Sequence, residues 1–318
     1  MDSTRTVRVP TLDDIDAALH VVRAHLAPTP VDDAAVPGSP PIALKLESLQ
    51  PTGSFKVRGA LAALARTPAD EQVVTASAGN HALGVALAAM KLGRRATVVT
   101  SKTASPAKVA AIQRLGVELV QVGTSYDDAE AHALELASQG ARYVSPYNDP
   151  DVIAGQATIG WELGEQLGGP LTVVCGIGGG GMASGLGLWA STREDVRIVG
   201  VEAAVSTAVS AAVAVGHQVT VDVGDTIADG MAGNIERGSV TVELVSRYVD
   251  ELLTVTEDQI RGAVRYLALE RGVVAEGSGA APVAAILAGL VPVRGRVVAV
   301  VSGRNIAAPL LAEVLTEP

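Results

Sequence analysis

Among its 318 residues the chain has one cysteine, one phenylalanine and two tryptophans. A single thiol excludes an intrachain disulfide framework and a cysteine-rich zinc site, and Cys175, ending the apolar run Leu171–Cys175, reads as core. With aromatics at 3%, the interior has to be packed from aliphatic side chains. Positive charge is scarce as well: 24 lysines and arginines against 34 acids give a formal charge of −10. No basic block is present, so nucleic acid and anionic membrane surfaces are poor partners. Gln166–Thr192 is uncharged for 27 residues, enough to cross a bilayer, but nine of them are glycine, which cannot sustain a helix in lipid. Ala203–Val221 is interrupted by Gly216, His217 and Gln218, and Met1–Leu12 lacks the apolar stretch of a secretory leader. A soluble, cytoplasmic protein is expected.

What is present is a globular composition, 48% hydrophobic and 18% charged. Short β-type runs alternate with helical stretches. Thr11-x-x-Asp14 opens a first helix with a capping pattern. Then come strand 42–46, helix 54–65, strand Val73–Ala76, helix Asn80–Leu92, strand Ala96–Thr100, helix 106–115, strand 117–122 and helix 127–138. The second half repeats the pattern: strand 171–175, helix 182–190, strand 197–201, helix 205–215, helices 257–271 and 279–290, and strand 296–301. This order predicts an α/β fold of parallel-rich, twisted sheets flanked by helices. Proline and glycine concentrate at Gln50–Gly53 and Pro146–Gly155, which reads as two crossings between two lobes with a cleft between them.

Four stretches carry chemistry. In PTGSFKVRGA a Pro/Gly turn delivers Lys56 to the start of a helix, where the positive end of the helix dipole disfavours the ammonium form. The chain has five lysines (45, 56, 91, 102 and 108) against nineteen arginines, so a lysine here suggests a need for an amine. Gly176-Ile-Gly178-Gly179-Gly180-Gly181-Met182 lies between a strand and a helix and can gather N–H groups around a phosphate. Thr75-Ala-Ser77-Ala78-Gly79-Asn80-His81 joins another strand to a helix start and suits a carboxylate, although it could equally be a cap. Ser302-Gly303-Arg304-Asn305 follows the last strand, at the sheet edge where α/β proteins bind ligands. Gly176-x-Gly178-x-x-Gly181 with Glu202 also satisfies a dinucleotide fingerprint. That competing reading, a nicotinamide-dependent oxidoreductase, gives no job to Lys56 or to Ser77–His81. No GK[ST] follows the glycines, which excludes a nucleoside-triphosphate loop.

PTGSFKVRGA, SAGNHALGVA, DPDVIAGQATIGWE and GGGGMASG, in this order from about Pro10 to Asn305, resemble the fold-type II pyridoxal-phosphate enzymes. The likeness is to the serine/threonine dehydratases (ammonia-lyases), their relative serine racemase and threo-3-hydroxyaspartate dehydratase. The resemblance implies a large cofactor-binding domain, 1–68 with 150–318, a small mobile domain, 69–149, and homodimers. It implies that Lys56 forms the Schiff base with pyridoxal 5′-phosphate and serves as the base at Cα. Gly178, Gly179, Gly180, Gly181 and Met182 would cradle the phosphate, Asn80 would meet the ring hydroxyl, and Phe55 would lie against the ring. Ser302 would bond the pyridine nitrogen, and Glu276 would face the amino group. Ser77, Asn80 and His81 would hold the carboxylate of a small amino-acid substrate, with Asn148 and Gly233 beside its side chain. A neutral hydroxyl at Ser302 leaves the ring a weaker electron sink than a carboxylate would, favouring β-elimination over transamination.

The chain departs from the family in several places. Racemases carry a serine directly after the one matching Ser77, and here that residue is Ala78, so little racemisation is expected. Of a cation site near Glu202 the second carboxylate is replaced by Ala208, leaving Glu202 as a candidate ligand without a complete metal site. SGRN replaces SGGN, placing Arg304 near the ring. Ser145-Pro146-Tyr147-Asn148 replaces His-Pro-Phe and, with Gly233-Asn234, suggests a β-substituent more polar than that of threonine, such as 3-hydroxyaspartate. The chain ends thirteen residues after Asn305, so no regulatory domain is expected. A member that binds cofactor without catalysing anything is disfavoured by an intact Lys56.

Overall fold

The computed structural model describes residues 5–292 and 294–317; residues 1–4, part of the Met1–Leu12 stretch searched for a leader, lie outside them. Two sheets are present. One holds β1 (Val31–Asp32), β2 (Ala43–Lys45), β7 (Leu171–Gly176), β8 (Val196–Ala203), β9 (Glu251–Val255) and β10 (Arg296–Val300). Its order is β1-β2-β10-β7-β8-β9, parallel throughout except for the β1–β2 pair. The other holds β3 (Val73–Ala76), β4 (Ala96–Thr100), β5 (Glu118–Gln121) and β6 (Arg142–Tyr143), all parallel, in the order β5-β4-β3-β6. ATVVT, apolar along its length, is buried at every residue of β4, as a strand covered on both faces requires.

The helices are α1 (Leu12–His25), α2 (Lys56–Arg66), α3 (Asn80–Leu92), α4 (Pro106–Gln113), α5 (Tyr126–Ser138) and α6 (Pro150–Leu167). They continue with α7 (Gly181–Ala190), α8 (Ala208–Val215), α9 (Val240–Tyr248), α10 (Glu257–Glu270), α11 (Gly277–Leu287) and α12 (Ala308–Thr316). At α1 the Thr11 hydroxyl accepts the Asp14 amide at 3.2 Å, while Asp14 takes the Thr11 amide at 2.8 Å, closing the expected capping box. The bounds of β3, α3 and β4 coincide with the sequence expectation. Cys175 is fully buried in an aliphatic core, and burial pushes its thiol up to about 12.

α6 is the main departure. The Pro146–Gly155 stretch, expected as an irregular crossing, instead ends in an 18-residue helix capped by the Asp149 carboxylate, which accepts the amides of Asp151 and Val152. Its glycines obscured the helical period because they serve packing. A Cβ on Gly155 would stand 2.5 Å from Gly59 Cα, and one on Gly160 would stand 2.3 Å from the Trp189 ring. α9, α12, β6 and β9 were also not expected.

The strand order positions the site. β2, β10 and β7 are neighbours, so the segments leaving their carboxyl ends toward Lys56, Ser302 and the glycine loop emerge side by side. The carboxyl end of β3 supplies Ser77–His81 from the second sheet. Because a Cβ at position 155 meets backbone, Gly155→Ala should destabilise the fold by about 2 kcal/mol. A lowered thermal midpoint would show this; an unchanged midpoint would mean that α2 and α6 can separate freely.

Candidate active site

Lys56 is the first residue of α2, in the positive field of the helix start. Its amine donates to the Pro146 carbonyl at 2.7 Å and stands 5.1 Å from the Phe55 ring centroid. Burial lowers its pKa from 10.5 to about 8, against the opposing attraction of Glu276. α3 packs directly on this helix start: a Cβ on Gly84 would lie 3.0 Å from the Lys56 carbonyl carbon. Phe55 is tied to the end of β10 by its amide, which donates to Ser302 O at 3.0 Å. The Ser302 side chain is nearly buried, and its hydroxyl makes no hydrogen bond among the described residues.

The glycine loop is shaped from both sides. A Cβ on Gly178 would come within 2.7 Å of Gly230 O, one on Gly179 within 2.3 Å of the Tyr147 ring, and one on Gly181 within 2.9 Å of Tyr147 Cα. Gly180 caps α7 at φ +86°, a conformation that suits glycine. Thr241 Oγ1 donates to Gly179 O at 2.8 Å and pins the loop. The amides of Gly178, Gly179 and Gly180 donate to no carbonyl among the described residues, and no side chain caps α7. Met182 is buried in the first turn.

α3 also begins without a side-chain cap. The Ser77 hydroxyl accepts the Gly79 amide at 3.2 Å and holds the turn. The His81 side chain is engaged within the fold. Its Nε2 faces the Val144 carbonyl at 3.1 Å, and a carbonyl can only accept, so the proton sits there. Nδ1 is buried without a partner, and burial together with the nearby Lys56 drives the pKa to about 3. A neutral ring offering a lone pair at Nδ1 is no donor to a carboxylate.

Asn80 and Glu276 meet across the two sheets. Asn80 Nδ2 donates to Glu276 Oε1 at 2.7 Å, the Asn305 amide donates to Glu276 Oε2 at 3.0 Å, and Asn305 Nδ2 donates to Asn80 Oδ1 at 2.6 Å. Burial, then Asp229, raises the Glu276 carboxyl to about 7. Arg304 turns away: its guanidinium donates to Ser48 O, and its amide donates to Gly53 O at 2.9 Å.

Of the other expected residues, Asn148 and Glu202 are engaged within the fold and Gly233 is exposed. Asn148 is fully buried, with its Oδ1 accepting the Val240 amide at 3.1 Å and its carbonyl accepting Arg5 at 2.7 Å. It is the neighbouring Pro146 and Tyr147 that touch Lys56 and the glycine loop. The signal was present in the same departing segment, one residue earlier. Gly233 is exposed, with nothing within 4 Å of a built Cβ. Glu202 accepts the amides of Val209 and Ser210 at 2.9 and 3.0 Å, along with the Ser210 hydroxyl, so its carboxylate closes the start of α8. Among the described residues no group of three or more His, Cys, Asp or Glu could hold a metal ion.

Since the pKa of Lys56 lies near 8, its neutral fraction grows as pH rises through that value. Labelling of the unliganded protein with an amine-directed reagent should show Lys56 reacting with a midpoint near 8. A midpoint at the ordinary lysine value of 10.5 would show that burial does not act on the amine.

Residues 22–303 match the family described as pyridoxal-phosphate dependent enzyme. The L-threonine ammonia-lyase of Thermotoga maritima is 40% identical, aligned over 96% of this chain and 78% of its own length. The catabolic L-threonine dehydratase of Escherichia coli is 38% identical over 83% of each chain. Among solved structures, maize serine racemase superposes with a TM-score of 0.89 at 28% identity, covering 96% of this chain and 97% of its own. The processed threonine deaminase isoform 2 of Solanum lycopersicum gives 0.83 at 30% identity, covering 98% and 91%. With most of its length matched and relatives at this identity, the chain belongs to the pyridoxal-phosphate-dependent enzyme family.

Proposed function

We propose that the chain is a pyridoxal-phosphate-dependent lyase that eliminates the β-hydroxyl of a small, neutral β-hydroxy-α-amino acid, serine or threonine, as water, the released product then taking up water to give a 2-oxo acid and ammonia. One observation carries the reading: a buried lysine amine, lowered to about 8, rests on the Pro146 carbonyl, and the next residue, Tyr147, packs on the loop of unclaimed glycine amides. The residues fit the cofactor. The free N–H groups of Gly178–Gly180 suit its phosphate, the Lys56 amine its aldehyde, and the unpartnered Ser302 hydroxyl its pyridine nitrogen. When bound, pyridoxal phosphate supplies an aldehyde that condenses with amines and a ring that draws electron density from the substrate Cα.

The protein's own residues supply the rest. Lys56 anchors the cofactor and, once displaced, is the amine positioned to take the Cα proton. The open start of α3 with Ser77 would receive the substrate carboxylate, and Asn80, locked by Glu276 and Asn305, would meet the ring hydroxyl. Phe55, whose ring centroid stands 5.1 Å from the Lys56 amine, would flank the cofactor ring. Ser302, a neutral hydroxyl, would give the ring nitrogen no full charge partner, which would favour loss of the β-hydroxyl over transamination. Residues 69–149 close as a small domain over 1–68 and 150–318; the Asn80–Glu276 bond and the Lys108–Asp229 ion pair at 3.1 Å support such contacts. Homodimeric assembly and a cytoplasmic location belong to the same proposal and rest on the resemblance. No helix among the described residues is long and apolar enough to cross a membrane.

Charge near the side-chain end favours serine or threonine over 3-hydroxyaspartate. Glu236 donates its amide to Tyr147 Oη at 2.8 Å and accepts the Ser145 hydroxyl at 3.4 Å, so a carboxylate stands behind the Ser145–Tyr147 wall. Its Arg5 contact, at 3.5 Å, is shared with the Asn148 carbonyl. A second carboxylate on the substrate meets repulsion there. The threonine-lyase names of the relatives support the same choice.

Ammonia release from serine, threonine and 3-hydroxyaspartate stereoisomers tests this. We expect kcat/KM for serine or threonine to exceed that for hydroxyaspartate by about tenfold or more; the reverse order contradicts the proposal. Because Ala78 cannot move a proton, D-serine should form about 100-fold more slowly than pyruvate from L-serine. Comparable rates would require a second acid on the opposite face.

A further inference from the structure

We infer that the buried ion network centred on Arg58 positions Lys56 for reaction, an inference that rests on Lys56 being the cofactor lysine. Arg58, Lys45 and Glu47 are 0% exposed and Glu162 is 3% exposed, two cations and two anions. All five guanidinium N–H groups of Arg58 are met. Nε donates to Glu47 Oε2 at 2.7 Å, and Nη2 donates to Glu47 Oε1 at 2.8 Å and Glu162 Oε2 at 2.7 Å. Nη1 donates to Glu162 Oε1 at 2.6 Å and Thr158 Oγ1 at 3.1 Å. Lys45 completes the set, donating to Glu162 Oε2 at 2.6 Å, Thr29 O at 2.8 Å and Gln166 Oε1 at 2.9 Å.

A buried ion set of this kind is no more stabilising than well-packed apolar residues of the same volume, because desolvation offsets the attraction. Stability therefore does not explain it. Geometry does, because a planar fork with every hydrogen committed allows one orientation of the helix that carries it. Arg58 lies two residues after Lys56, in the first turn of α2. Glu47 belongs to the short turn Glu47–Leu49, where Ser48 N donates to Val301 O at 2.9 Å and Ser48 O accepts Arg304, on either side of Ser302. Glu162 and Thr158 lie on α6, whose lead-in carries the Pro146 carbonyl that receives the Lys56 amine. One charge cluster thus fixes the lysine, the segment that carries Ser302 and the carbonyl on which the amine rests. Arg58 is a positioning residue in this account; it acts through Lys56.

Two variants test the role. R58K keeps the charge and loses the fork. K45M/E47L/R58M/E162L keeps the volume and removes every charge. Each apoprotein is titrated with pyridoxal phosphate, which condenses with an amine, and with pyridoxine 5′-phosphate, which cannot. If the network aligns the lysine, affinity for pyridoxal phosphate falls on the order of tenfold while pyridoxine phosphate stays within about twofold of the parent. A parallel loss of both ligands marks a merely structural role and overturns the inference, as does no loss of either. If neither variant folds, the network is needed for the fold itself and the positioning role is withdrawn. A parent protein that fails to bind pyridoxal phosphate would instead sink the functional reading beneath it.

Discussion

An ammonium ion is stable in a protein when water or a counter-charge attends it, and Lys56 is short of both. It sits at the positive end of α2, donates to one carbonyl, and has as its influential carboxylate Glu276, itself raised to about 7. A second buried lysine shows the contrast. Burial also lowers the pKa of Lys45, yet its three ammonium hydrogens go to Thr29, Glu162 and Gln166. Lys45 is committed to structure. Lys56 keeps hydrogens and a lone pair for chemistry, and the other features of the cleft follow from building a site around that amine.

The same desolvation sorts the neighbouring groups. His81 is held neutral at about 3 by burial and by Lys56. Asn80, Asn305 and Glu276 satisfy one another across the two sheets. Among the neutral donors left uncommitted in the described residues are the glycine amides, the start of α3 and the Ser302 hydroxyl. Neutral donors at fixed positions suit a phosphate, a carboxylate and a pyridine nitrogen, and they need little reorganisation when those groups arrive.

Much of this was legible in the sequence, for identifiable reasons. β3, α3 and β4 are bounded by turn residues and built from runs apolar on both faces, so their limits could be read directly. The glycine loop and Ser302 sit where a strand hands over to a turn, and Lys56 where a Pro/Gly turn opens a helix, all local signals. α6 was hidden because its start lies in the Pro146–Gly155 stretch read as a crossing, while Gly155 and Gly160 are there so that α2 and Trp189 can approach closely. His81 and Glu202 carried the right residue types for ligands, but the carbonyl and helix amides that occupy them come from folding. The Arg58 network was out of reach for the same reason: Glu162 lies 104 residues further along the chain. Tyr147 was overlooked in favour of Asn148 because only the fold shows which of two adjacent side chains turns toward the glycines.

The most direct measurement is chemical. The protein loaded with pyridoxal phosphate, reduced with borohydride and digested, should yield a single pyridoxyl-modified peptide, and fragmentation should place the added mass on Lys56. Modification of Lys45, Lys91, Lys102 or Lys108 in its place, or none at all in protein that is demonstrably folded, would contradict the account.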